Sequence, residues 1–135
     1  MNKIIQINKI MLKINNFPVI SENTILKEAL EEMNKYNLGI VCIIDNQNKL
    51  LGVITDGDIR RKLLKVQKPF SALLVDDALI YSIKKPITVK PENTLQECVK
   101  TMGKKQIWDL PVINENEQLL GLLHLHPAVE KLLKI

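Results

Sequence analysis

Aromatic side chains are scarce in this chain: two phenylalanines, two tyrosines and one tryptophan make up 4% of it. Lysines run from end to end with little aromatic interleaving, so the formal net charge of +4 reads as solubility rather than nucleic-acid binding. No Walker A loop, no G-x-S-x-G nucleophile motif and no full dinucleotide fingerprint occurs among the five glycines. Those absences argue against an enzyme. Cysteine is limited to Cys42, inside the apolar run Ile40 to Ile44, and Cys98, at helical spacing from Leu95 and Met102. Both read as buried, reduced thiols, which points to the cytoplasm.

Long hydrophobic runs are missing too. The N-terminal stretch "MNKIIQINKIMLKINN" is interrupted by Lys9 and Lys13 and lacks a small-residue cleavage site, so it reads as neither export signal nor membrane span. Ile4, Ile7, Met11 and Ile14 share one helical face, and residues 1–16 are expected to form an amphipathic segment packed on the domain. An interfacial or partner-binding helix is the alternative. With 135 residues, 46% of them hydrophobic, the chain suffices for one domain or two half-domains sharing a core, and not for separate cofactor and substrate domains.

What the sequence does hold is an internal repeat. At an offset of 69, Leu26, Glu28, Met33, Lys35, Ile44, Leu50, Leu51 and Gly52 meet Leu95, Glu97, Met102, Lys104, Ile113, Leu119, Leu120 and Gly121. "KLLK" at Lys62 to Lys65 recurs at Lys131 to Lys134, and just upstream Glu22-Asn23-Thr24 meets Glu92-Asn93-Thr94 at an offset of 70. Each copy predicts an extended segment after a proline (Pro18-Val19-Ile20; Pro86-Ile87-Thr88-Val89), then a helix from near Thr24 or Thr94. Thr94 and Glu97 fit a capping box, and the apolar positions follow i, i+3, i+4, i+7 spacing. Two apolar strands around a five-residue polar loop come next (Ile40 to Ile44 and Leu50 to Ile54; Leu110 to Ile113 and Leu119 to Leu123). A closing helix runs through Ile59 to Leu64 and through Ala128 to Leu133. The expected fold is therefore α/β (α+β), a tandem pseudo-two-fold β-α-β-β-α arrangement. Its repeats span residues 17–65 and 85–135, with a linker over residues 66–84.

The repeat, its element order and the ending "GVITDGDIRR" together resemble the CBS domain pair, or Bateman module. That resemblance implies two units packed sheet to sheet, with clefts that commonly bind adenosine-type nucleotides and regulate an associated enzyme. "LGVITDGDIRR", "KKPITVKPENTL" and "LLGLLHLH" look like the CBS tail of bacterial arabinose-5-phosphate isomerases of surface-sugar synthesis, and are also similar to the CBS segment of some sugar nucleotidyltransferases. The isomerase domain of that family would precede the pair, and Met1 lies too close to the repeat for this sequence to contain it. The expectation is a non-catalytic regulatory module with no required cofactor and no metal, acting on a partner enzyme of sugar metabolism. It is expected to form a homodimer and to bind neither nucleic acid nor membrane. Its ligand would be AMP, ADP or ATP, or else a cytidine sugar nucleotide.

The candidate site is the polar cluster where the first copy's last strand meets its closing helix, a place where free amides and the helix dipole favour phosphate. Thr55 offers a hydroxyl beside Asp56, Gly57 admits a close backbone approach, and Arg60 or Arg61 can pair with phosphate. In the CBS pattern the aspartate, here Asp58, grips ribose hydroxyls, and the base would lie near Gly39, Ile40 and Val41 and near Val19 and Ile20. The plain structural alternative is that Asp58 merely caps the helix. In the second copy His124, Leu125, His126 and Pro127 replace Thr55 to Asp58, with Pro127 expected to start the helix. A second cleft candidate therefore holds His124 and His126, two apart on a strand, with Trp108 and Asp109. For Trp108 the expectations are closure of a cleft or burial between the copies. The alternative function is a structural module that dimerises or tethers an enzyme without ligand, or the excised C-terminal CBS region of an arabinose-5-phosphate isomerase.

Overall fold

The structure, a computed structural model, describes residues 4–134. Residues 1–3 of the expected N-terminal segment and residue 135 of the second repeat lie outside the described residues. The chain divides into two compact units. The first is Asn15–Pro86, and the second joins the segment up to Ile14 to the chain from Ile87 onward.

The N-terminal segment does not form the expected helix. It makes a single 3-10 turn, Ile7–Lys9, and a short strand β1, Leu12–Lys13, antiparallel to the second unit's sheet. Ile7 is fully buried, whereas Ile4 is 75% and Ile14 41% exposed, so the four isoleucine and methionine positions do not share a buried face. Tertiary hydrogen bonds decide this. Leu95 N donates to Ile5 O at 2.7 Å and Ile7 N to Asn93 O at 2.9 Å, which an isolated turn of helix in a run rich in β-branched residues cannot outweigh.

The first unit continues with β2 (Val19–Ser21), α1 (Leu26–Tyr36), β3 (Ile40–Ile44), β4 (Leu50–Thr55), α2 (Asp56–Lys65) and the short helix α3 (Phe70–Leu74). β2 runs parallel to β3 across the α1 crossover, and β3 pairs antiparallel with β4. Leu26, Ala29 and Met33 of α1 are buried against Ile20, Val41, Ile43 and Ile54 of the sheet. The second unit repeats the pattern with α4 (Leu95–Lys105), β5 (Asp109–Ile113), β6 (Leu119–His124) and α5 (Leu125–Leu133). Leu95, Cys98 and Met102 there cover Leu110, Val112 and Leu123. The counterpart of β2 shrinks to one parallel bridge, Val89 to Val112. The expected capping box is present, with Thr94 accepting from Glu97 N at 3.2 Å.

One similarity between the units is absent from the residue identities. Residues 5–13 and 76–84, 71 positions apart, agree only at Lys13 and Lys84. They nevertheless make the same contacts. Leu95 N to Ile5 O matches Leu26 N to Asp76 O, and the 3-10 turn Ala78–Tyr81 matches Ile7–Lys9. β1 lies beside β6 as Ile83 lies beside Val53 of β4. Each unit's sheet is thus completed by the segment that precedes the other unit's helix-containing repeat. Residues 76–84, expected as linker, fold onto the first unit.

Candidate functional site

At the end of β4 the chain passes directly into α2, and the polar cluster lies at that junction. Thr55, not Asp58, is the N-cap: its Oγ1 accepts from Asp58 N at 3.2 Å. Asp58 completes the capping box from the third helical position, its Oδ2 accepting from Thr55 N at 2.9 Å and from the Thr55 hydroxyl at 3.0 Å. Its other oxygen, Oδ1, accepts from Arg61 at 2.8 Å. Asp58 is 6% exposed while the Arg61 side chain is 55% exposed, so a buried carboxylate is held by a guanidinium lying largely in water. Gly57 makes room for that arrangement, since a Cβ there would sit 3.0 Å from Arg61 Nη2.

The remaining sequence candidates fall around this end of the sheet. Asp56 N donates to Gly39 O at 3.1 Å, and a side chain at Gly39 would meet the Asp56 carboxylate at 2.6 Å. Gly39 and Asp56 line a hollow of about 300 Å³ with Leu30, Met33, Asn34, Asn37 and Leu38. The α1 residues of that wall were not anticipated, because they carry no ionisable group or motif. Val19 and Ile20 line a separate hollow of about 400 Å³ whose other wall is acidic, with Glu28, Glu31 and Glu32. Ile20, Ile40 and Val41 are buried, which leaves Val19 and Gly39 as the half-buried apolar members. Arg60 is exposed and makes no hydrogen bond or ion pair among the described residues.

The corresponding end of the second unit has different chemistry. His124 closes β6 and is the N-cap of α5, without a side-chain capping bond, and His126 lies in the first turn of that helix. The two histidines therefore do not share a strand, yet their ring centroids are 5.2 Å apart. The helix begins at Leu125, two residues before the expected Pro127, which keeps its place in the first turn. His124 Nδ1 lies 2.7 Å from Asp109 Oδ1, partners that the β5–β6 register sets opposite one another. Burial pushes the Asp109 carboxyl up, and the hydrogen bond from His124 pulls it back. Trp108 is 60% exposed, and its ring lies 5.7 Å from that of His126. Among the described residues no three His, Cys, Asp or Glu side chains are grouped to hold a metal ion. No helix there is long and apolar enough to cross a membrane.

Two strand-to-helix junctions at equivalent places in two β-α-β-β-α units match a known pattern. The CBS domain model matches residues 7–65 and 73–126, both matches starting upstream of the repeats as read from sequence. The chain belongs to the CBS domain family. The pair is 33% identical to an uncharacterized protein of Helicobacter pylori over 127 residues, 93% of this chain and 37% of that protein. It is 29% identical to the arabinose 5-phosphate isomerase KdsD of Pseudomonas aeruginosa over 126 residues, 91% of this chain and 36% of the isomerase. The chain thus spans little more than a third of the length of these curated relatives. Among solved structures, the CBS pair superposes on CBSX2 in complex with AMP with a TM-score of 0.82 and 22% identity, covering 96% of each chain. At that identity the likeness shows the fold.

Proposed function

We propose that this CBS pair is a non-catalytic regulatory module that binds an adenosine nucleotide at the junction of β4 and α2. Asp58 would grip the ribose, with Thr55 and an arginine on phosphate. The observation that carries this reading is the Asp58–Arg61 pair. A buried carboxylate is held on one side by a capping box and on the other by an exposed guanidinium, whose pairing contributes about 0–1 kcal/mol. A ribose hydroxyl can take the place of Arg61 on Oδ1, and the released guanidinium then pairs with phosphate, which it prefers for geometric reasons. CBSX2, which was crystallised with AMP, supports the ligand class. A cytidine sugar nucleotide is the second candidate ligand, and an enzyme of surface-sugar metabolism the proposed partner, because relatives include arabinose 5-phosphate isomerases.

Calorimetry with AMP tests this. Wild type should bind, and Asp58→Asn should weaken binding about tenfold, as expected for a lost hydrogen bond to a charged group. Because Asp58 also serves the capping box, Asp58→Asn should be destabilised by about 1 kcal/mol. Arg61→Ala leaves the Thr55–Asp58 capping box in place, and it too should bind more weakly. Wild-type affinity in both variants would defeat the reading. One observation favours a second reading, a ligand-free tethering module: both Asp58 oxygens already have partners within the chain. That reading requires that no nucleotide raise the melting temperature of wild type.

A further inference from the structure

The hollow of about 300 Å³ in the first unit lies between the end of α1, the start of β3 and the first residue of α2. Its volume is at the lower end of the range for small-molecule sites, about 300–1,000 Å³. Leu30, Met33 and Leu38 supply apolar surface, and Asn34, Asn37 and Asp56 supply polar side chains. None of those three side chains makes a hydrogen bond or ion pair among the described residues. No lysine or arginine lines the hollow, so its single charged group is the Asp56 carboxylate.

Repeat register separates what the fold needs here from what it does not. Leu30, Met33 and Leu38 become Val99, Met102 and Ile107 in the second unit, so apolar residues in these places belong to the packing of the helix. Asn34, Gly39 and Asp56 become Gly103, Trp108 and Leu125, so the polar character does not. Asn37 has a local reason, since it ends α1 in the left-handed conformation at φ 55° as Gln106 ends α4 at φ 56°. Asp56 suits the first turn of α2, yet α5 begins with Leu125 in the same place. Asn34 has no local reason at all. Gly39 is tied to Asp56, because a Cβ there would stand 2.6 Å from Asp56 Oδ2 and displace the carboxylate from the hollow.

Asp56 directly follows Thr55, the residue proposed to meet phosphate, so the hollow receives whatever the ligand carries beyond that phosphate. A chain of further phosphates meets a carboxylate there, like charge against like. A neutral group rich in hydroxyls donates to the carboxylate, and both donates to and accepts from an asparagine amide. We propose that the hollow is a sugar subsite, and that the ligand of the first unit is a nucleoside diphosphate bearing a neutral sugar. The inference rests on the Asp58 reading for the nucleoside end. Arg61 and the unpaired Arg60 serve the two phosphates. The sugar fills the hollow, with hydroxyls on Asp56 and Asn34 and its C–H face on Leu30 and Leu38.

Calorimetry with two series of probes tests this: ADP, ATP and ADP-glucose, then CDP and CDP-glucose. In the series whose base the first unit accepts, the glucose conjugate should bind about tenfold more tightly than the diphosphate, as expected for hydrogen bonds that include a charged acceptor. ATP should bind no more tightly than ADP. Asn34→Ala, at an exposed helical position, should keep the affinity for the diphosphate and lose most of the gain from glucose. Asp56→Asn should shrink that gain and let ATP bind more tightly than ADP. Equal affinity for conjugate and diphosphate in wild type, or a gain that survives Asn34→Ala, overturns the proposal. AMP binding that depends on Asp58, with no gain from glucose, removes the sugar subsite and leaves the Asp58 reading standing. A gain from glucose that Asn34→Ala abolishes and Asp58→Asn leaves untouched does the reverse. If none of these nucleotides binds, both readings fall.

Discussion

Among the described residues four carboxylates keep a cationic or ionisable partner at hydrogen-bond distance: Asp58 has Arg61, Asp109 has His124, Asp76 has Lys68 and Glu130 has Lys134. At Asp76 the Lys68 ammonium, helped by the Tyr81 hydroxyl, holds the carboxyl below its ordinary value of 3.8. A carboxylate with a depressed folded pKa contributes stability that is present above its unfolded value and lost as pH falls through the folded one. Wild type should therefore exceed Lys68→Met in melting temperature at neutral pH, with the gap closing below about pH 4. A gap that is the same at neutral pH and at about pH 2 would contradict this assignment. Asp109 has the opposite sign, because burial dominates there. Asp58 was legible as a site candidate because its motif is contiguous. The pairing of Asp109 with His124 was not, because two residues 15 apart meet only once β5 and β6 take their register.

At the scale of elements, the glycines report where segments cross. A Cβ on Gly52 would lie 2.6 Å from Ser82 Oγ and 2.9 Å from Ile83 O, and one on Gly121 would lie 2.7 Å from Leu12 O. These equivalent glycines let the incoming segment lie against β4 and β6, so the glycine that opens "GVIT" serves the sheet as well as any ligand. Gly52→Ala should cost about 1–3 kcal/mol in urea unfolding, since backbone must move. Gly103, in the exposed part of α4 with nothing within 4 Å, is the contrast: Gly103→Ala should stabilise by about 0.5–1 kcal/mol through helix propensity. If both substitutions moved the midpoint the same way, close approach would not be what Gly52 is for. Helices and hairpins were legible because each carries its own periodicity and turn residues. β1 was misread as helix because two residues carry no period, and the partner strand lies more than 100 positions away.

For the whole molecule, equivalent leucines in the two closing helices, Leu64 and Leu133, are each 80% exposed and followed by a lysine. Large apolar side chains left in water at both repeat-equivalent positions are the reason to expect self-association. Light scattering at micromolar concentration should give a dimer mass, with Leu64→Glu shifting it toward monomer. A monomer mass for wild type would remove that expectation.

Duplication, element order and the TDGD cluster followed from the sequence by itself, because all three are local patterns repeated in one register. Only the tertiary structure decided that residues 5–13 and 76–84 each complete the other repeat's sheet, since hydrogen bonds between backbones leave almost no mark on residue identity. It also decided that Asp58 is shared between a helix cap and Arg61, and that Trp108 stands in solvent beside His126. Burial and ring geometry depend on which strands meet, and no spacing along the chain encodes that.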